Sequence, residues 1–396
     1  MSPFKKHIVY SLLITILLPL MAFSTPLNQV EKDIKHFGIS NLGKTNFNSK
    51  DYSNYEVSKL VELEQTPASH INQVKEVIVL ENRLIVIDPN LSIYIFSMEG
   101  EFLNCIGEIQ FIGEQKRKHQ NFYIDRKKAT ISLYYQKENL VVSYRINGEV
   151  LSQKKVKPTT TKIEYPVLLD NNKVLYNKAM TLSRTNPVYS LFDLEKEERI
   201  KDFFTYHPIK TQTPYYKFAT HPISIVDREI KAILPLCDTI YSYTNLEFSP
   251  KYIIESPSKR ATKEMIEENT ISYDKEIYRL GEEGYFTGFT AIFETQRHLL
   301  LEAKMSGLDM GFYLVDKSKE LGNYFIYTLK DPSHVIPFYP IVGSTENYFI
   351  GSSTLIDLDH VKWKLPKRPS INREFMELIN KRSSKDNPIL LFYSIK

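Results

Sequence analysis

Residues 91–107, "LSIYIFSMEGEFLNCIG", carry the pattern that decides the fold. A short apolar run is followed by a turn that contains Gly100, and a second apolar run begins at Phe102. β-Branched and aromatic side chains favour strands, and glycine supplies the left-handed backbone that a short hairpin turn requires. The stretch therefore predicts two antiparallel strands joined by a tight turn.

The same design returns further along the chain. Residues 140–156, "LVVSYRINGEVLSQKKV", repeat the aromatic residue, the Gly-Glu pair and the apolar pair at matching positions. Weaker copies are "PVYSLFDLEKEERIKDFF", "CDTIYSYTNLEFSPKYIIE" and "GFYLVDKSKELGNYFIY". Another short apolar run precedes these hairpins, and four strands in about 40 to 50 residues are typical of one β-propeller blade.

The blades can be placed along the sequence, and the last one is short of strands. Strand-like runs near both termini, "YEVSKLVELE" and "NPILLFYSIK", can complete it, because a ring must close to leave no exposed sheet edge. We therefore predict an all-β fold, a six-bladed β-propeller with four-stranded blades, closed by N- and C-terminal strands. Peripheral helices are predicted at "PSINREFMELINKR" and "SKRATKEMIEENTIS". The predicted blades lie near residues 70–108, 118–157, 164–205, 218–256, 285–330 and 335–363.

The first 24 residues have the pattern of a signal peptide. Lys5 and Lys6 precede an uncharged apolar run, and Ala22-Phe23-Ser24 places small residues where a signal peptidase reads them. An uncleaved membrane anchor is the alternative, but the run is shorter than the roughly 20 residues that span a bilayer. No cysteine follows the run, so we expect no lipid anchor. We expect residues 1–24 to be removed on export, residues 25–50 to be a flexible segment, and residues 51–396 to form the propeller.

Composition bounds the function classes. The formal net charge of +4 is too small to indicate nucleic-acid binding. Cys105 and Cys237 lie in different predicted blades, so we expect two unpaired thiols. The sequence has no phosphate-binding glycine motif, no nucleophile elbow and no local His or Cys metal motif. We therefore expect no cofactor and no metal, although distant histidines could still meet in a central channel.

The chain resembles a known family through several of these stretches. Residues 60–88, "LVELEQTPASHINQVKEVIVLENRLIVID", fit its pattern I-x-L-E-x-T-x-x-S-x-I-G-x-I-x-K-I at Leu63, Glu64, Thr66, Ile71, Val74 and Val77, with Asp88 at the end of the following strand. The hairpin at residues 93–107 and the terminal "NPILLFYSIK" match later landmarks. The resemblance is to exported six-bladed β-propeller proteins of Bacteroides-like bacteria, which are distantly similar to NHL-repeat propellers. It implies the fold and export, and it implies little about activity.

One long connection carries the residues that most suggest binding. "FFTYHPIKTQTPYYKFATHP", residues 203–222, is longer than a link between two blades requires. Aromatic rings with polar groups on a loop suit a sugar- or peptide-binding surface, although the same rings could simply cover the ring face. The candidate ligand-binding residues are Tyr206, His207, Tyr215, Tyr216 and His221.

Basic loops offer a second candidate. Lys116, Arg117 and Lys118 form one cluster, and residues 126–128, Arg-Lys-Lys, form another at the next turn. Such loops could solubilise the protein, or they could form a rim that attracts acidic sugars or lipid headgroups.

The combined prediction is an exported binding or interaction module. Its ligand would lie at a mouth of the central channel, where loops of several blades converge. We expect a carbohydrate or peptide ligand at the cell envelope, with an envelope protein as a possible partner. The alternatives are a lyase or hydrolase, with or without a metal ion, whose site lies in the channel, and a purely structural component of a surface complex.

Overall fold

The computed structural model describes residues 34–41, 55–110, 116–118, 121–135, 138–156, 163–169, 173–178, 187–205, 219–234, 236–256, 258–262, 265, 279–304, 309–319, 321–328, 340–353, 377, 381 and 386–395. These residues contain 27 strands, nearly all of which belong to six four-stranded antiparallel blades. The prediction of a six-bladed β-propeller is confirmed.

Two strands precede the first blade, and both join blades formed later in the chain: β1 (Lys35–Asn41) and β2 (Tyr55–Glu62). Blade 1 contains β3 (Glu76–Leu80), β4 (Arg83–Ile87), β5 (Ile93–Ser97) and β6 (Phe102–Ile106). A small hairpin follows, made of β7 (Glu108–Gln110) and β8 (Lys116–Lys118). Blade 2 contains β9 (Asn121–Asp125), β10 (Thr130–Tyr135), β11 (Leu140–Arg145) and β12 (Val150–Lys155).

The remaining blades follow the same order from the channel outward. Blade 3 contains β13 (Ile163–Leu168), β14 (Lys173–Lys178), β15 (Pro187–Asp193) and β16 (Glu198–Thr205). Blade 4 contains β17 (Ile223–Val226), β18 (Glu229–Ile233), β19 (Thr239–Thr244) and β20 (Glu247–Glu255). Blade 5 contains β21 (Phe289–Glu294), β22 (His298–Lys304), β23 (Asp309–Asp316) and β24 (Leu321–Thr328). Blade 6 contains β25 (Ile341–Ser344), β26 (Phe349–Ser353) and β27 (Ile389–Ile395), with β2 as its outer strand.

The middle strands are buried on both faces because each blade packs between two others. In β4, Leu84 and Val86 join an apolar cluster shared with blade 6, whereas Ile85 and Ile87 join one shared with blade 2. Strands buried on two sides read as continuous apolar runs rather than as an alternation. This double burial explains why the inner runs of the sequence are so uniformly apolar.

Two glycines confirm the repeat in detail. Gly100 and Gly148 have φ angles of 94° and 87°, in the region that other residues rarely adopt. Each donates its backbone N–H to the carbonyl three residues earlier, Gly100 to Ser97 at 3.1 Å and Gly148 to Arg145 at 2.8 Å. The two hairpins therefore turn in the same way, as their matching sequences predicted.

The chain ends close the ring, as predicted. β2 pairs antiparallel with β27, with Val61 opposite Leu390. On the channel side, a Cβ placed on Gly343 of β25 would lie 2.3 Å from the Val77 carbonyl oxygen of β3. Blades 6 and 1 therefore meet at a distance that only glycine permits at position 343.

Hydrogen bonds of the buried Asn387 side-chain amide stabilise this closure. Asn387 is 1% exposed, and its Nδ2 donates to the carbonyls of Glu64, at 2.9 Å, and Ser69, at 2.6 Å. The Ile71 backbone N–H donates to Asn387 Oδ1 at 2.7 Å. All three backbone groups belong to the loop after β2. One side chain from the C-terminal segment thus satisfies three main-chain groups near the N-terminus.

The residues that carry the family resemblance shape that same loop. Ser69 Oγ donates to the Glu64 carbonyl at 2.8 Å and accepts the Thr66 backbone N–H at 2.7 Å. The Glu64 carboxylate accepts the backbone N–H of Phe102 at 2.7 Å, which ties the loop to the first hairpin. The residues of this motif therefore help to close the ring.

β1 differs from the expectation that residues 25–50 are flexible. It pairs in parallel with β20 on one side and β24 on the other, and so joins blades 4 and 5 into one nine-stranded sheet. Phe37 is fully buried, with its ring 5.3 Å from that of Tyr252. A Cβ on Gly322 would lie 2.3 Å from Ile39 Cδ1, so this glycine makes room for the strand. The sequence "KHFGISN" is too short and mixed to reveal such a partner.

The predicted helices and signal peptide fall largely outside the described residues. Of the first helix, Glu377 and Lys381 are described, and both are helical; of the second, Met265 is helical and residues 258–262 are not. Within the described ranges, no helix is long and apolar enough to cross a bilayer.

We predict that Asn387→Ala lowers the free energy of unfolding by about 3 kcal/mol. It leaves the Ser69 carbonyl and the Ile71 N–H without partners and removes one of the two donors to the Glu64 carbonyl. Asn387→Asp should lose at least as much, since a carboxylate cannot donate to the two carbonyls. Urea denaturation measures both, with the exposed turn residue Asn347→Ala as control. An Asn387→Asp protein as stable as the wild type would show that packing, and not this hydrogen bonding, holds the loop.

Candidate functional site

A central cavity is the main candidate site in the described part of the protein. Its volume is about 1190 Å³, and its wall includes residues of the innermost strand of every blade, β3, β9, β13, β17, β21 and β25. Typical ligand sites have about 300–1,000 Å³, so the cavity can hold more than one small ring. This is the central channel that the sequence predicted.

Tyr165 on the innermost strand of blade 3 has a strained backbone. Its φ is 47°, a conformation that a bulky residue rarely adopts, and the proline that follows disfavours it further. The pairing of β13 with β14 shifts register between Glu164 and Val167, which marks a bulge. Bulges re-aim side chains, and strained residues persist where the surrounding structure holds them. The bulge places Tyr165 in the channel wall.

Tyr165 begins a row of rings contributed by blade 3, by the connection that enters blade 4, and by blade 5. Its ring centroid lies 6.1 Å from that of His221, which in turn lies 4.9 Å from that of Phe293. The His221 carbonyl accepts the Ile292 N–H at 2.9 Å, so the backbone of this residue is held against blade 5. On the other side, Lys75 Nζ lies 5.5 Å from the Tyr165 ring centroid, within range of a cation–π interaction.

The charges of the channel wall are mostly positive. Glu76 and Asp125 are its two acidic residues among those described. Partial desolvation raises the pKa of Glu76, against the opposing effect of Lys75 and Arg126. The Arg126 side chain is exposed to the channel, but the surrounding wall partly desolvates its guanidinium. This desolvation lowers the pKa of Arg126, and the negative charge of Glu76 opposes the shift. The basic residues of the wall are Arg126, Lys127, Lys128, Lys173 and Arg228.

The binding residues predicted from the sequence are partly located. His221 lies in the channel wall. Lys116, Arg117 and Lys118 form β8, paired with β7, and their side chains lie outside the described part. The other four predicted ligand-binding residues, Tyr206, His207, Tyr215 and Tyr216, also lie outside it.

The sequence analysis missed Tyr165 and Phe293. A tyrosine followed by proline inside an apolar strand run, "YPVLL", is a signal that could have marked the bulge, since proline inside a sheet is found at edges and bulges. Phe293 gives no such signal, because an aromatic residue in a buried strand is ordinary.

Other buried charges serve the packing of blades. Lys231, 3% exposed in its side chain, bridges Glu229 and Glu294 at 2.9 Å each. Burial alone would lower the pKa of Lys231, but these carboxylates raise it above its ordinary value. Among the described residues, no three His, Cys, Asp or Glu side chains are grouped to hold a metal ion.

A smaller cavity of about 190 Å³ lies between blades 5 and 6. His298 lines it, and burial lowers the pKa of this histidine to about 4 despite the opposing effect of Asp316. Glu302 lies on the same strand, and burial raises its pKa to about 8. Both side chains therefore favour the neutral form at neutral pH, and the cavity is too small for an oligomeric ligand.

We predict that Tyr165→Gly unfolds with a free energy about 1 kcal/mol higher than Tyr165→Ala, the reverse of the usual order of these two residues in a strand. Both variants lose the phenol ring, but only glycine relieves the positive φ. Urea denaturation of the pair checks this. An alanine variant as stable as the glycine variant would show that the backbone at position 165 is not strained.

Comparisons with known proteins give the fold's relatives. The chain superposes on BF0058 of Bacteroides fragilis, whose name describes a candidate exported protein. The TM-score is 0.71 at 19% identity, over 92% of this chain and 99% of BF0058. A DUF4221 family member from Bacteroides vulgatus superposes with a TM-score of 0.52 at 10% identity, over 87% and 99% of the two chains. Among curated proteins, none matches. At these sequence identities, the two superpositions show a shared fold and nothing about function.

The family assignment comes from the sequence itself. A family model described as a domain of unknown function, DUF4934, matches residues 39–394, which span all six blades. The match begins inside β1 and ends inside β27, and so it includes both elements of the ring closure. The chain therefore belongs to the DUF4934 family.

Proposed function

We propose that the protein is an exported binding module of the cell envelope, and that its ligand, a carbohydrate or a peptide, lies in the central channel. The observation that carries this proposal is Tyr165, whose strained backbone holds its ring in a cavity that all six blades line. Strain of this kind stabilises nothing by itself, so a role in the channel is a reason for it to persist.

A propeller channel suits binding because its wall is rigid. Each wall strand is the inner edge of a blade whose faces are buried against neighbouring blades. Tyr165 and Phe293 belong to blades 3 and 5, and His221 ends the connection into blade 4, so the spacing of the three side chains depends on how the blades are assembled. A preorganised site loses less conformational entropy when a ligand binds.

The long connection between blades 3 and 4 supports the same location. It starts after β16 and ends at Thr220 and His221, which are hydrogen-bonded to the Thr290 carbonyl of blade 5. The connection therefore returns to the channel wall. We propose that its aromatic residues, Tyr206, His207, Tyr215 and Tyr216, extend the channel site, and that Lys116, Arg117 and Lys118 form a basic rim.

Export is supported from two directions. Residues 1–24 have the charge, apolar run and cleavage pattern of a signal peptide. BF0058, which shares the fold over nearly its whole length, is named for an expected export.

We predict that His221→Ala and the double variant Tyr215→Ala/Tyr216→Ala each weaken ligand binding about tenfold, the loss expected for one good aromatic contact. The ligand is first identified on arrays of glycans and peptides, and dissociation constants are then measured by titration calorimetry. Lys154→Ala, on the exposed outer strand β12, is the control.

Unchanged affinity in both channel variants would contradict the placement of the site. The ligand recovered from the complex should be chemically unchanged. Recovery of cleaved ligand would instead favour the alternative function, a lyase or hydrolase.

A further inference from the structure

We propose that the channel ligand is an acidic oligosaccharide, whose carboxylate is bound by the guanidinium of Arg126 and whose sugar ring packs on the Tyr165 side of the channel. This inference rests on the proposed function and specifies its ligand. Three features of the channel support it: the sign of its charge, an arginine fork that fits a carboxylate, and the mixture of rings and hydroxyl groups along its wall.

The channel wall carries an excess of positive charge. The described wall contains five basic and two acidic residues, a surplus of three, whereas the formal net charge of the entire chain is only +4. The rest of the chain therefore carries a formal net charge of only +1. A cleft with one sign of charge raises the local concentration of oppositely charged ligands, and its low-dielectric walls strengthen the effect.

The guanidinium of Arg126 is the candidate partner for a carboxylate in the channel wall. Glu76 interacts electrostatically with Arg126, and Asp125 forms an ion pair with Lys128 at 3.8 Å. The planar fork of an arginine fits a carboxylate with two parallel hydrogen bonds. Arg126 directly follows the last residue of β9, and its exposed side chain lines the channel.

The remainder of the wall suits a sugar ring. The rings of Tyr165 and His221 are partly exposed, and the C–H face of a pyranose can pack on them. Phe293 is buried, and its ring contacts that of His221 with centroids 4.9 Å apart. Ser224, Tyr243 and Ser344 add hydroxyl groups to the same wall. The Tyr243 hydroxyl is buried and has no hydrogen-bond partner among the described residues. A ligand with many hydroxyl groups, either directly or through water, can satisfy such a group, whereas an apolar ligand cannot.

Titration calorimetry with two matched probes tests the proposal. The first probe is a uronic-acid oligosaccharide, oligogalacturonate, and the second is the same oligomer after chemical reduction of its carboxylates to alcohols. We expect the reduced oligomer to bind at least tenfold more weakly, because it lacks the charge that Arg126 recognises. The affinity for the uronate should fall as salt is raised, and that for the reduced oligomer should not.

Variants locate the carboxylate. Arg126→Ala should weaken uronate binding at least tenfold, and Arg126→Lys should fall between it and the wild type, because lysine keeps the charge but not the fork. Neither change should alter the affinity for the reduced oligomer. Arg145→Ala removes the same charge from an exposed hairpin turn of blade 2 and should leave both affinities unchanged. Circular dichroism and melting temperature show whether each variant is folded.

The outcomes separate this inference from the proposed function. Equal affinity for the two probes, tighter binding of a sulfated neutral oligosaccharide, or uronate binding that survives Arg126→Ala would overturn the inference and leave a glycan-binding channel in place. Binding of acidic peptides with no glycan bound would overturn the saccharide assignment. Absence of any glycan or peptide ligand on the full arrays would overturn the proposed function itself.

Discussion

The hydrogen bonds of Asn387 are the constraint on which the rest of the structure depends. A propeller has no covalent closure, so its first and last strands must be held together by non-covalent contacts. In this chain, one buried amide satisfies three main-chain groups of the loop that follows the N-terminal strand. Because that loop is also tied to the first hairpin through Glu64, the closure fixes blade 1 against blade 6.

The channel is a consequence of that closure. Six inner strands surround a cavity only if the ring is complete, and the row of Tyr165, His221 and Phe293 spans three blades. β1 reinforces the same arc from outside, where it joins blades 4 and 5. The packing between blades stabilises the fold, and so the protein tolerates the backbone strain at Tyr165. Fold and site are separable in this protein: the landmarks of its family close the ring, and other residues line the channel.

The sequence predicted the blades, their number and the closure by the chain ends, because hairpin turns and doubly buried strands leave strong local patterns. It did not predict β1, whose seven residues form a strand only where two finished blades offer free edges. For the site, it identified His221 and the basic turn at residues 126–128, since loop histidines and charge clusters are visible in a sequence. Tyr165 and Phe293 were missed because their role depends on which face of a strand points into a ring, and no local pattern encodes that.

The claim that closure makes the ring one cooperative unit is tested most directly by native-state hydrogen exchange. If the account is right, the amides of β2 and β27 exchange with the same free energy of opening as those of β15 in blade 3, since parting the chain ends unfolds the whole ring. Amides of β2 and β27 that exchange at a clearly lower free energy, while blade 3 stays protected, would show that the propeller remains folded with its ends apart and would contradict it.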